Sequence, residues 1–178
     1  MAYNFTENRT GLLQIANTDA GVTMANGTSA IPTPPATLGM VCRAFDPTYG
    51  EGEFILLVGV ASTAIGSLVS YNATTYQTAL SANTANLAGP VAVAMSANTA
   101  ALFGWYHIGG LAVVKKTGVQ VTAQVAVYQS ATTGQIMPTA ASGKQILGAR
   151  SANLSTIASA TSTVIVSINR PHKQGAVA

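Results

Sequence analysis

Cys42 and His107 are the residues in this chain whose types could support nucleophilic catalysis. A cysteine nucleophile needs a base held beside it in an electropositive, accessible setting. Cys42 lies between Val41 and Arg43 in an expected strand, where a small buried hydrophobe is the ordinary role. His107 follows Trp105 and Tyr106 in another expected strand and reads as a packed or hydrogen-bonded ring. His172, near the C-terminus, has no neighbour of metal-ligand type. Asp46, Glu51 and Glu53 cluster closely enough to hold a cation, although a solvated turn is the simpler account. Gly143-Lys144 lacks the upstream glycine and following Ser/Thr of a phosphate loop. Gly104, Gly109 and Gly110 fall at a strand end and a turn rather than at a strand-to-helix junction. No enzymatic activity, cofactor or metal is expected from these groups.

The strongest negative signal lies beyond Glu53. The 125 residues from Phe54 to Ala178 contain no aspartate or glutamate. Their six charges are all positive: Lys115, Lys116, Lys144, Arg150, Arg170 and Lys173. Paired-carboxylate hydrolysis, acidic divalent-metal sites and Asp-oriented histidine bases therefore have no material there. Residues 1–53 carry −3 and residues 54–178 carry +6. Six cations over that length are too sparse for a nucleic-acid footprint, and no specific nucleic acid is expected as a partner. The asymmetry fits an electrostatic bias toward a protein partner or neighbouring subunits.

Composition points to sheet. Only 7% of residues are charged, and Ala (31), Thr (22), Gly (17) and Ser (13) dominate. Small and β-branched residues on this scale suit pleated sheet and tight turns. A weakly charged surface keeps monomers apart poorly, so a homo-oligomer or a larger assembly is expected. Cys42 is alone, so no internal disulfide forms. The longest apolar run, Phe54 to Val60, is far shorter than the roughly 20 residues of a spanning helix, so no membrane is expected. Met1 to Arg9 shows no basic-then-apolar leader, which points to synthesis in a cytoplasm. The Asn-x-Ser/Thr triplets at Asn4, Asn8, Asn26, Asn72 and Asn153 then carry no meaning.

The chain divides into three regions. Residues 1–40 hold four glycines and the extended Ile31-Pro-Thr-Pro-Pro-Ala segment, and are expected to form an N-terminal arm laid over a neighbour. Residues 41–171 form the β domain, and 172–178 a C-terminal tail. Strands are expected from Leu38 to Phe45 and from Phe54 to Val60, the latter buried on both faces. Val91 to Met95 alternates, and Phe103–Ile108 and Leu111–Lys115 make a hairpin about Gly109-Gly110. Val119 to Tyr128 alternates most clearly, and Val164 to Ile168 repeats the pattern. The fold class is mainly β, an antiparallel barrel or sandwich with little helix, any helix falling within Thr74–Leu87 or Ser151–Ala160. Phe5, Leu12, Leu13, Pro34 and Pro35 of the arm, with Trp105 and Tyr106, are candidate interface residues. Alternation would alternatively place one of the two aromatic rings in the core.

Longer blocks carry a family likeness. Ala44-Phe-Asp-Pro-Thr-Tyr-Gly-Glu-Gly-Glu-Phe-Ile-Leu-Leu-Val-Gly-Val-Ala-Ser-Thr63 resembles the head decoration, or cement, proteins of tailed bacteriophages. So does the block from Gly89 to Lys115, with Gly104-Trp-Tyr-His-Ile-Gly-Gly110 its most specific part, and the closing Ile168-Asn-Arg-Pro171. The likeness runs in order over roughly residues 40–171 and omits most of the arm. It implies a β-rich virion protein that binds the outside of the assembled head, with the major capsid protein as partner, often as a trimer or dimer. It supplies no catalytic residues. The alternative is a receptor- or carbohydrate-binding module of a phage tail or fibre, which would present Trp105 and Tyr106 as an exposed platform.

Overall fold

The computed structural model describes residues 3–6, 13–26 and 29–176. Among them there is no helix, and the chain order is β1 (Asn4–Phe5), β2 (Thr18–Asp19), β3 (Val22–Asn26), β4 (Ser29–Thr33), β5 (Val41–Asp46), β6 (Gly50–Val58), β7 (Leu68–Tyr71), β8 (Thr78–Leu80), β9 (Ala88–Ala94), β10 (Phe103–Lys115), β11 (Ala126–Gln129), β12 (Ile136–Met137), β13 (Gln145–Ser151) and β14 (Thr163–Gln174). Twelve strands join one antiparallel sheet, while β3 and β4 pair only with each other. The protein is all-β, as its composition requires. The two stretches with room for a helix hold turns and, in the first, β8.

Strand β10 organises the sheet. Its first half pairs with β6, from Phe103↔Val58 to His107↔Phe54, and with β9 at Tyr106 and His107. Its second half, Gly109 to Lys115, pairs with β14. The end of β14 pairs in turn with the start of β9, so each of β9, β10 and β14 pairs with both of the others along different parts of its length. The expected hairpin at Gly109-Gly110 is therefore corrected to one continuous strand. The register shifts between His107 and Gly109, and Gly110 adopts φ +108°. The glycines supply a bulge that re-aims the strand from one partner to the next instead of reversing it.

Burial follows from this crossing. In β6, Phe54 and Leu56 enter one core with Trp105, Phe103, Cys42 and Ala44, while Ile55 and Leu57 enter a second with Tyr106, Ile108, Val69 and Ala92. The continuous apolar run is thus a strand buried on both faces, as expected. A third core gathers Val91, Val93, Ala112, Val114, Val164, Val166 and Ile168. The alternation expected at Val164–Ile168 is observed. That of residues 119–128 is real in burial at Val121 and Val127, yet only Ala126–Gln129 is strand. Gln124 sits at φ +56°, which breaks the extended run, and Val121 keeps a single bridge to Ile157.

Two boundaries move. The segment containing Ile31-Pro-Thr is not an isolated extended chain, because Ser29–Thr33 pairs with Val22–Asn26 as a hairpin. The tail expected from 172 begins inside β14, where His172 and Lys173 pair with Pro90 and Gly89.

Candidate binding surface

Cys42 and His107 do not meet. Cys42 is opposite Phe54 on β6, and Phe54 is opposite His107 on β10. Two strand spacings separate the pair, about 10 Å, and the Phe54 ring stacks on His107 at 4.4 Å between centroids. Tyr3 meets the imidazole edge-on at 5.3 Å. His107 Nε2 donates to the Gly109 carbonyl at 2.7 Å inside the bulge, leaving Nδ1 as a buried acceptor without a partner. Burial pulls the His107 pKa from 6.5 down to about 4, against a smaller opposing effect of the Gly109 carbonyl. The ring is a neutral core residue, not a base. Because its folded pKa is depressed, stability is full above the unfolded value and falls as pH drops through the window from 6.5 to about 4. The expected loss attributable to His107 is about 3 kcal/mol. Urea midpoints measured across that window should slope less steeply in His107→Phe than in the parent; identical slopes would contradict this.

The other candidate groups are likewise engaged in structure. Asp46 Oδ1 accepts from the Thr48 and Tyr49 amides at 2.8 and 3.1 Å, closing the β5–β6 turn. Arg43 approaches Glu51 at 3.7 Å and Glu53 at 3.3 Å, and Arg170 reaches Glu53 at 3.4 Å. Glu51 and Glu53 are thus answered by arginines, one of them from the acid-free stretch, while Asp46 is engaged in the turn. Among the described residues no three His, Cys, Asp or Glu side chains converge as metal ligands. His172 is exposed, with Nδ1 3.5 Å from the Arg170 carbonyl oxygen. Lys144 Nζ donates to Asn83 Oδ1 at 2.7 Å, and Gly143 lies in the turn before it.

Lys116 is buried and its ammonium donates to the carbonyls of Val119 at 2.9 Å, Thr117 at 3.3 Å and Ser159 at 3.3 Å. It ties the loop after β10 to the loop before β14. Removing it takes the donor from three part-buried carbonyls, so Lys116→Met should cost about 1 kcal/mol. Hydrogen exchange of the Val121 and Ile157 amides, which bond each other's carbonyls, should quicken in step; unchanged exchange would refute that tie.

Of the candidate interface residues, Trp105 and Tyr106 are corrected: both are fully buried within the chain. β10 lies inside the sheet with cores on both sides, so alternation points both rings inward. Trp105 Nε1 donates to the Leu13 carbonyl at 2.7 Å, and Phe5 packs edge-on to the indole at 6.0 Å. Asn98 Nδ2 donates to the Tyr106 hydroxyl at 3.1 Å. Phe5 and Leu13 join Tyr3 and Ile15 against the body of their own chain. Pro34 and Pro35 are half-buried between β4 and β5. Leu12 falls outside the described residues.

The outer surface is nearly uncharged. In the acid-free stretch Lys116 and Lys173 are buried and Arg170 is paired, leaving Lys115, Lys144 and Arg150 as surface cations with no ion pair among the described residues. Phe45, Ile65, Leu87, Val119 and Leu154 are exposed apolar side chains spread over different strands and loops. A groove of about 460 Å³ runs between the β7–β8 hairpin and the start of β9, lined by Ser70, Tyr71, Thr75, Gln77, Leu87 and Lys173 among others. Sequence reasoning misses it because Lys173 falls in the expected tail. No protein-family model and no curated protein matches the chain.

Proposed function

We propose that the protein is a structural part of a bacteriophage virion that binds the outer surface of the assembled head and stabilises it. The observation that carries this reading is the sparsely charged β body, in which no acid follows Glu53. His107 and Cys42 are absorbed in the core and Lys116 on loop carbonyls, and the outer face carries few charges. A surface of this kind can be covered by a partner without leaving many buried charges unpaired. The likeness of the Ala44–Thr63 and Gly89–Lys115 blocks to head decoration proteins supports the same conclusion.

Stabilisation would follow from mass action, since a protein that binds only the assembled shell lowers the free energy of that shell. Each copy contributes modestly, and a symmetric lattice repeats the contribution many times. The major capsid protein is the partner in this reading, and the protein would act as a homo-oligomer at a local symmetry position. The receptor- or carbohydrate-binding alternative loses its platform, because Trp105 and Tyr106 are both enclosed. Adding the purified protein to undecorated heads should raise the temperature at which they release DNA. An unchanged release temperature at saturating protein would refute the reading.

A further inference from the structure

Lys173 is a largely buried lysine whose ammonium has no partner among the described residues. Only 5% of the residue is exposed, yet among the described residues its ammonium makes no hydrogen bond and no ion pair. Lys116, buried to a similar degree, has three carbonyls. Arg170, three residues before Lys173, has Glu53. Lys173 has neither, because β14, β13 and β9 around it all belong to the stretch without acids. Burial alone lowers its pKa below the ordinary lysine value, with no attractive charge to offset it. Its stem is buried, but the ammonium nitrogen itself still meets water, unpaired, at the wall of the groove of about 460 Å³.

The groove has the composition to receive one anionic group. No acidic side chain lines it. Ser70, Tyr71 and Thr75 bring hydroxyls, and Leu87, 42% exposed, gives an apolar lip. The charge of Arg170 reaches Tyr71, where it opposes the rise in the phenol pKa that burial causes. Several lining groups are already committed: Gln77 Nε2 donates to the Gly59 carbonyl and Thr78 Oγ1 to the Val58 carbonyl. The Ser70 hydroxyl is also engaged, donating to the Ala79 carbonyl at 3.5 Å, so what stays available is one ammonium with the hydroxyls of Tyr71 and Thr75 nearby. That suits a carboxylate better than a nucleic-acid backbone, which needs a row of cations.

We propose that this groove is a carboxylate-binding site, in which Lys173 pairs with an Asp or Glu side chain presented by the protein surface on which this chain docks. The site deepens the head-binding function and rests on it. It gives the acid-free composition a further use: with no internal acid to compete, Lys173 is kept for the partner's.

The test compares the full-length parent, Lys173→Met and Arg150→Gln for binding to undecorated heads at low and moderate salt. Methionine replaces the ammonium with an apolar group of similar reach, so folding should be unchanged or slightly improved. Binding by Lys173→Met should weaken at least tenfold and lose part of its salt dependence, whereas exposed Arg150→Gln should bind like the parent. Lysine acylation of the parent, read by mass spectrometry, gives an arm that needs no variant: Lys173 should react in the free protein and be protected on heads. Tight binding by Lys173→Met, or equal acylation of Lys173 in free and bound protein, overturns the site and leaves head binding standing. Failure of the parent itself to bind overturns both.

Discussion

Replacing Trp105 with alanine is expected to destabilise the protein by about 3–5 kcal/mol, the range for deleting a fully buried large aromatic. The side chain has no exposed surface and stands where β5, β6 and β10 share a core with Tyr3, Phe5, Leu13 and Ile15. Its loss would open a cavity and also remove the anchor of the N-terminal segment, because the indole N–H holds the Leu13 carbonyl at 2.7 Å. Trp105→Phe separates the two effects: it keeps most of the volume, strands one carbonyl and should cost about 1–2 kcal/mol. Trp105 is the sole tryptophan, so unfolding of the variants is best followed by circular dichroism in urea. A loss below about 1 kcal/mol in Trp105→Ala would mean that the ring is not in the core.

Gly110→Ala is expected to be nearly as damaging, and Gly50→Ala is its internal control. Both glycines have positive φ, +108° and +75°. A Cβ at Gly50 meets nothing within 4 Å, so alanine there adds only conformational strain, about 1 kcal/mol. A Cβ at Gly110 would lie 2.5 Å from the Glu51 carbonyl oxygen and 3.1 Å from Gly52 Cα. Backbone atoms of β6 would have to move at the point where β10 changes partner, and the Arg43–Glu53–Arg170 network spans the same place. The expected cost is about 3 kcal/mol or more, strain and displacement together. Thermal midpoints of the two variants measured side by side decide the matter, and equal shifts would refute the bulge.

These two residues show where the sequence is informative and where it is not. The apolar run at Phe54–Val58 is recognisable as a strand buried on both faces because no polar residue interrupts it. Val164, Val166 and Ile168 are recognisable by alternation. Gly109-Gly110 is ambiguous, since a hairpin turn and a bulge draw on the same freedom of glycine. The difference lies in a distant strand, β14, which continues the ladder past the bulge. Trp105 and Tyr106 illustrate the same limit: alternation assigns them opposite faces but cannot tell that both faces are covered. The groove is invisible for a related reason. Arg170-Pro171 suggests the end of ordered structure, yet β14 resumes pairing beyond it and carries Lys173 into the sheet. The absence of acids, in contrast, is plain from the sequence, and its consequence for Lys173 emerges only with burial.

The central claim is that this sparsely charged β body is a surface made to be covered by a virus head. Cosedimentation of the purified protein with expanded, undecorated heads, followed by cryo-electron microscopy of the pelleted particles, tests it most directly. Binding should saturate at a fixed number of copies per head, with added density on the outer surface at equivalent lattice positions. Protein that stays in the supernatant at saturating concentration, or density found only on the tail, would contradict the account.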